Sequence, residues 1–141
     1  MSEISSQYSV VRDQGKTFNQ IGRARNFEDL TVWRLSHKLV LEIYKASKNF
    51  PKEELYGLTS QMRRASVSIP ANISEGFTRR SNRDKIHFYN IAQSSLQETK
   101  YYLILIKDLD YFHATRRISL MADEIGKMLH GLIESIKDRN V

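Results

Sequence analysis

Six apolar residues near the C-terminus, Ile118, Met121, Ile125, Met128, Leu132 and Ile136, recur at steps of three and four. That period places all six on one face of a helix, and a half-buried strand would need alternation instead. Three earlier segments carry the same period. Val32, Leu35, Leu39, Ile43 and Ala46 mark a helix over about Leu30–Asn49, with Asp29 as its expected N-cap. Leu55, Leu58, Met62, Ala65, Ile69 and Ile73 mark one over about Lys52–Thr78, with Glu53 and Glu54 in a first turn whose dipole favours them. Ile86, Tyr89, Ala92, Leu96, Leu103 and Ile106 mark a third, running to about Leu109. Ser81 and Asp84 supply its start, a capping-box spacing with Asp in the place of Glu or Gln. The fourth runs over about Ala114–Lys137.

No segment reads as a strand. Four helices joined by short turns predict an all-α, antiparallel, up-down-up-down four-helix bundle. Pro70 falls inside the second helix, where it removes a backbone donor and clashes with the carbonyl of Ser66, so a kink is expected there. Residues 1–26 lack an apolar period and read as a flexible basic tail ahead of a bundle over residues 27–141.

Several function classes are excluded. The 141 residues include no cysteine, which removes disulfides, thiolate zinc sites and cysteine nucleophiles. His37, His87, His113 and His130 are never three to five residues apart, so no two share a helical face as metal ligands would. There is no GxSxG turn and no glycine loop that could cradle phosphate. A catalytic residue, a metal and a cofactor are therefore not expected, and the chain reads as a non-enzyme. No apolar run approaches the roughly 20 residues that span a bilayer. The N-terminus has no basic-then-apolar signal pattern, so a cytoplasmic protein without membrane contact is expected.

The net charge of +6 is unevenly spread. Residues 1–25 hold Arg12, Lys16, Arg23 and Arg25 against Glu3 and Asp13. Residues 60–87 hold Arg63, Arg64, Arg79, Arg80, Arg83 and Lys85 against Glu75 and Asp84, and the rest of the chain balances. A localised basic excess attracts polyanions. Arg79, Arg80, Arg83 and Lys85 flank the turn between helices two and three and are the first candidates for contacting nucleic acid, with Arg63, Arg23 and Arg25 behind them. A solvated turn with no ligand is the plain alternative.

Arg64, Ser68, Asn72, Glu75 and Arg79 step by four, four, three and four along helix two. Folding helix three back about the turn puts Arg64 opposite Gln97 and Glu98, and Glu75 opposite Lys85. The stripe is expected to be a hydrogen-bonded seam fixing register, with an Arg64–Glu98 pair in it; a ligand-lined groove is the other reading. Tyr101 and Tyr102 beside Lys100 could stack on bases, although aromatics in mid-helix are more often core. Helices one and three carry second, largely apolar stripes, Trp33, Val40, Leu41 and Tyr44 on the one, and Phe88, Ile91, Ser95, Tyr102, Leu105 and Leu109 on the other. A bundle needs one stripe per helix, so the surplus predicts a homo-oligomer.

Three stretches carry a family resemblance: FEDLTVW (Phe27 to Trp33), FPKEELYGLTSQMRRASVSIPANISEG (Phe50 to Gly76) and IAQSSLQE (Ile91 to Glu98). They closely resemble the bacterial four-helix-bundle proteins encoded in 23S ribosomal RNA intervening sequences, the S23 family, over about Phe27 to Ile136. The resemblance implies an antiparallel bundle assembling into a ring, commonly a pentamer. It also places the chain near the accessory variability proteins of diversity-generating retroelements, which bind nucleic acid and a reverse transcriptase through basic surfaces. The implied partners are structured RNA in preference to DNA, or a ribonucleoprotein such as a reverse transcriptase complex. An acidic protein docked on the basic rim is the competing expectation. The family pattern has glycine where Ser94 stands here, and it does not extend to residues 1–25.

Overall fold

The structure, a computed structural model, describes residues 24–138. The expected tail, with Arg23, therefore lies outside the described residues up to residue 23. Four α-helices form the fold: α1 (Thr31–Ser47), α2 (Ser60–Thr78), α3 (Asn82–Asp108) and α4 (Arg116–Asp138). No strand occurs among the described residues. Each helix packs on the next, and α4 closes back against α1. Cross-helix contacts give the antiparallel register: Ser47 to Arg63, Ser68 to Ser95, Lys100 to Asp123 and Glu42 to Arg117.

The core draws fully buried side chains from every helix. Leu39 and Ile43 come from α1, Met62, Ile69 and Ile73 from α2, Leu96, Leu103 and Ile106 from α3, and Met121, Ile125 and Leu129 from α4. On α4, Ile118, Met121, Ile125, Leu132 and Ile136 are buried as the period requires. Met128 is only partly buried and Leu129 goes fully inside, because a strict three-four pattern drifts around a helix of 3.6 residues per turn.

Two helix starts differ from the sequence expectation. Asp29 is not the N-cap of α1; Leu30 holds that position without a side-chain bond. Phe27–Asp29 already turn as a 3-10 helix, and the free amides of that turn lie upstream. The Asp29 carboxylate accepts from the backbone N–H of Arg25 (3.0 Å) and of Asn26 (3.4 Å). The second helix does not run regularly from Lys52. A 3-10 turn, Lys52–Glu54, leads into a wide π turn, Leu55–Thr59, in which Gly57 leaves helical geometry at φ −113°, ψ −110°. Glu54 anchors this entry, accepting from the Leu58 N–H (3.5 Å) and from the Tyr111 hydroxyl (3.0 Å). The α1–α2 connection is thereby tied to the α3–α4 connection.

α2 continues through Pro70 as one element, and the Ser74 hydroxyl donates to the Pro70 carbonyl at 2.9 Å. At the start of α3 the Ser81 hydroxyl accepts from the Asp84 N–H (3.1 Å), as the spacing predicts. Only Arg79, Arg80 and Ser81 separate α2 from α3.

Candidate nucleic-acid interface

The tight α2–α3 turn is framed by a glycine, a tyrosine and a lysine. Gly76 is buried against the ring of Tyr89, and a Cβ on Gly76 would sit 2.5 Å from Tyr89 Cε1. The missing side chain is what lets the two helices meet just before they turn. Burial pushes the Tyr89 hydroxyl up to about 12. Lys85 turns inward. Its Nζ donates to the carbonyls of Phe77 (2.7 Å) and Gly76 (3.3 Å) and lies 5.6 Å from the centre of the Phe77 ring. A cation on the last carbonyls of α2 complements the helix dipole. Burial pulls the Lys85 pKa below the ordinary lysine value.

Around this frame the arginines divide. Arg79 stacks over Phe88, 4.5 Å from the ring centre, and pairs with Glu75 at 2.9 Å. Arg80 and Arg83 are exposed and have no partner among the described residues. Arg25 is also exposed, where the chain enters α1 at this same end of the bundle. Arg63 is elsewhere. Half-buried near the other end of α2, it donates from Nε to Ser47 Oγ (2.8 Å) and lies over Tyr44, 4.6 Å from the ring centre. Of the residues expected to contact nucleic acid, the turn therefore leaves Arg80 and Arg83 free, while Lys85 and Arg63 serve the fold.

The polar stripe on α2 forms a seam only in its middle. Ser95 Oγ donates to Ser68 Oγ (2.8 Å), and Asn72 Nδ2 donates to the Ser68 carbonyl (2.8 Å) and hydroxyl (2.9 Å). The expected Arg64–Glu98 pair does not form. Both residues are exposed on the outer edge of the helix pair, and each takes a neighbour on its own helix. Arg64 donates to Gln61 Oε1 at 3.0 Å, and Glu98 accepts from the Tyr102 hydroxyl at 3.2 Å. Glu75 pairs with Arg79, the residue that caps the end of its own helix, rather than with Lys85. Ser95 is the seam residue that sequence reasoning missed, because its spacing places it among the apolar residues of the second stripe on helix three.

Sequence reasoning also missed a groove of about 830 Å³ between α3 and α4. One wall carries Asn90, Gln93, Gln97 and Lys100, and the other Asp123, Lys127 and His130. Lys100 and Asp123 pair across it at 2.9 Å. No group of three or more His, Cys, Asp or Glu residues that could hold a metal occurs among the described residues. No described helix is long and apolar enough to cross a membrane.

Comparison with known proteins adds a family and a fold. The profile of the 23S rRNA-intervening sequence proteins matches residues 28–131. A crystal structure of a protein of unknown function from the S23 ribosomal protein family of Bacteroides thetaiotaomicron is similar, with 30% identity and a TM-score of 0.66. The similarity covers 73% of this chain and 98% of that one. No curated protein matches the chain.

Proposed function

We propose that this chain, which belongs to the 23S rRNA-intervening sequence protein family, is a non-enzymatic nucleic-acid-binding or adaptor protein acting as a homo-oligomer. Its ligand is structured RNA or a ribonucleoprotein, such as a reverse transcriptase complex. The observation that carries this is the pair Arg80 and Arg83, exposed and without partners on a turn that Gly76, Tyr89 and Lys85 hold rigid. A guanidinium presents several donors in a plane and matches phosphate oxygens two at a time. Arg79 and Arg25 stand at the same end and add to the field.

Oligomerisation is supported by apolar side chains that the bundle leaves outside. On α1, Leu41 is 54% exposed and Tyr44 43%. On the opposite side, Ile104 and Leu120 are 60% and 40% exposed, one turn along their helices from the Lys100–Asp123 pair. Two different patches on opposite sides suit a head-to-tail contact, which closes into a ring when the rotation allows. Five is the number the family resemblance gives. A ring repeats the α2–α3 turn around one rim, so weak contacts add as avidity.

The test is binding of wild type and an Arg80→Glu/Arg83→Glu variant to a structured RNA, a duplex DNA and an acidic polypeptide. Wild type should bind the RNA at physiological salt, and the variant should lose at least about tenfold. If wild type binds only the acidic polypeptide, the basic turn is a protein-docking rim. A variant that binds RNA as well as wild type does moves the interface away from this turn.

A further inference from the structure

The geometry points to the groove between α3 and α4 as a site for an unpaired stretch of nucleic acid entering from the basic turn. This role rests on the nucleic-acid function proposed above and adds to it a second, chemically different surface. One exposed strip of α3 links the two. Arg83, His87, Asn90, Ser94, Gln97 and Tyr101 step by four, three, four, three and four, and all six are exposed. At 1.5 Å per residue the strip is about 27 Å long. It begins at a free cation, passes along the mouth of the groove and ends on Tyr101, 57% exposed.

The wall chemistry selects the ligand. Asn90, Gln93 and Gln97 give the α3 wall three carboxamides. Each offers a donor and an acceptor side by side, the pattern that meets the edge of a base. The groove carries little net charge, two lysines against Asp123, and Lys100 is held by Asp123 at 2.9 Å. An amide-lined groove of this kind does not hold phosphates by charge; it suits the bases. Leu96 and Gly126 pack against each other at its base, where a Cβ on Gly126 would stand 3.4 Å from Leu96 Cδ2, so the groove has an apolar floor. Tyr101 provides a further face for stacking. In paired RNA the Watson–Crick edges are taken and the deep, narrow major groove keeps side chains from the others, which leaves the unpaired strand as the form that fits. Phosphates then remain outside, where Arg80 and Arg83 stand.

Fluorescence anisotropy with two labelled RNAs tests this: an unstructured strand of about twelve nucleotides and a hairpin of equal charge whose stem is fully paired and whose tight tetraloop leaves no extended single strand. The proteins are wild type, Asn90→Leu/Gln97→Leu, Ser94→Trp and Arg80→Glu/Arg83→Glu. Ser94 is exposed at the mouth of the groove, so Trp fills the space without entering the core. Unchanged circular dichroism melts confirm that the groove variants fold. Both groove variants should lose about tenfold on the strand and little on the hairpin, because amide contacts to bases carry discrimination of at least this size. The turn variant should lose both. Groove variants that bind the strand like wild type, or that lose strand and hairpin equally, overturn the groove and leave the basic turn intact. Wild type binding the hairpin and not the strand does the same. Wild type binding neither RNA removes the proposed function and the groove with it.

Discussion

Replacing Gly76 by Ala should destabilise the protein even though alanine is the better helix former. Gly76 lies in the last turns of α2, and the added Cβ would stand 2.5 Å from Tyr89 Cε1 and 2.8 Å from Cδ1. An ordinary carbon–carbon contact is about 3.5–4.0 Å, so the methyl intrudes by about 1 Å or more. Tyr89 is 2% exposed and has nowhere to retreat. Either its ring leaves its rotamer or α2 and α3 part near their turn. Overpacking of this kind costs about 1–3 kcal/mol. Against it stands at most about 1 kcal/mol of helix propensity gained by Ala over Gly. With the full gain subtracted, the expected net loss reaches about 2 kcal/mol, or up to roughly 10 °C in melting temperature for a domain of this size.

The second background makes the cause visible. Tyr89→Ala alone should cost about 3–5 kcal/mol, as large-to-small changes of buried aromatics do. With the ring gone, the three atoms nearest the added Cβ are removed, and the helix-propensity gain of Gly76→Ala should appear as a stabilisation. Urea unfolding followed by circular dichroism on the four proteins reads the reversal of sign directly. If Gly76→Ala stabilises the wild type, or carries the same penalty in both backgrounds, close approach is not what fixes glycine at this position.

Other outcomes follow from the same contacts. The Tyr89 hydroxyl ionises near pH 10 in an unfolded chain and at about 12 in the fold, so the unfolded state loses its proton first. Stability is whole below about pH 10 and falls as pH rises toward 12, by about 2–3 kcal/mol; Tyr89→Phe should remove that part of the alkaline loss in unfolding titrations. Arg64→Ala and Glu98→Ala should each shift stability by less than about 0.5 kcal/mol in urea unfolding and couple by no more than that, since the two are not paired and meet only through the field each exerts on the Tyr102 hydroxyl. Ser95→Ala should cost about 1 kcal/mol in urea unfolding, because it removes the donor to Ser68 from the α2–α3 seam. A double-mutant cycle on Glu42 and Arg117, paired at 2.6 Å between α1 and α4, should give a coupling of about 0.5–1 kcal/mol that shrinks in high salt.

The four helices were legible because apolar periodicity reports the buried face directly, and α4 follows it almost residue for residue. Helix entries were less legible. A 3-10 turn before Leu30 and a π turn around Gly57 are set by how connections pack, as in the Tyr111–Glu54 bond between residues 57 positions apart. No local signal carries that. Mirror placement about the turn correctly opposed the two helices, yet it chose the wrong polar partners. Ser68 meets Ser95, while Arg64 and Glu98 miss each other, because opposition in sequence does not say which side of the contact a long side chain takes. Lys85 counted as a rim cation in the sequence for the same reason; only the fold reveals that its stem reaches back to the end of α2.

The division among the basic residues decides how the protein could bind a polyanion at all. Between residues 75 and 85 four basic side chains stand against two acidic ones, and the fold uses Arg79 and Lys85 internally. Two free arginines per chain neutralise about two phosphates, which at physiological salt gives a contact too weak to act alone. The same chain leaves Leu41, Tyr44, Ile104 and Leu120 exposed on opposite sides. In the proposed homo-oligomer these two features would answer one another: copies joined side by side would repeat the turn along one edge, and the summed contacts would reach useful strength without any one of them being strong. On that proposal the frame of Gly76, Tyr89 and Lys85 would serve binding as well as folding: it would hold each pair of arginines in a fixed place, so that engaging one copy positions the next.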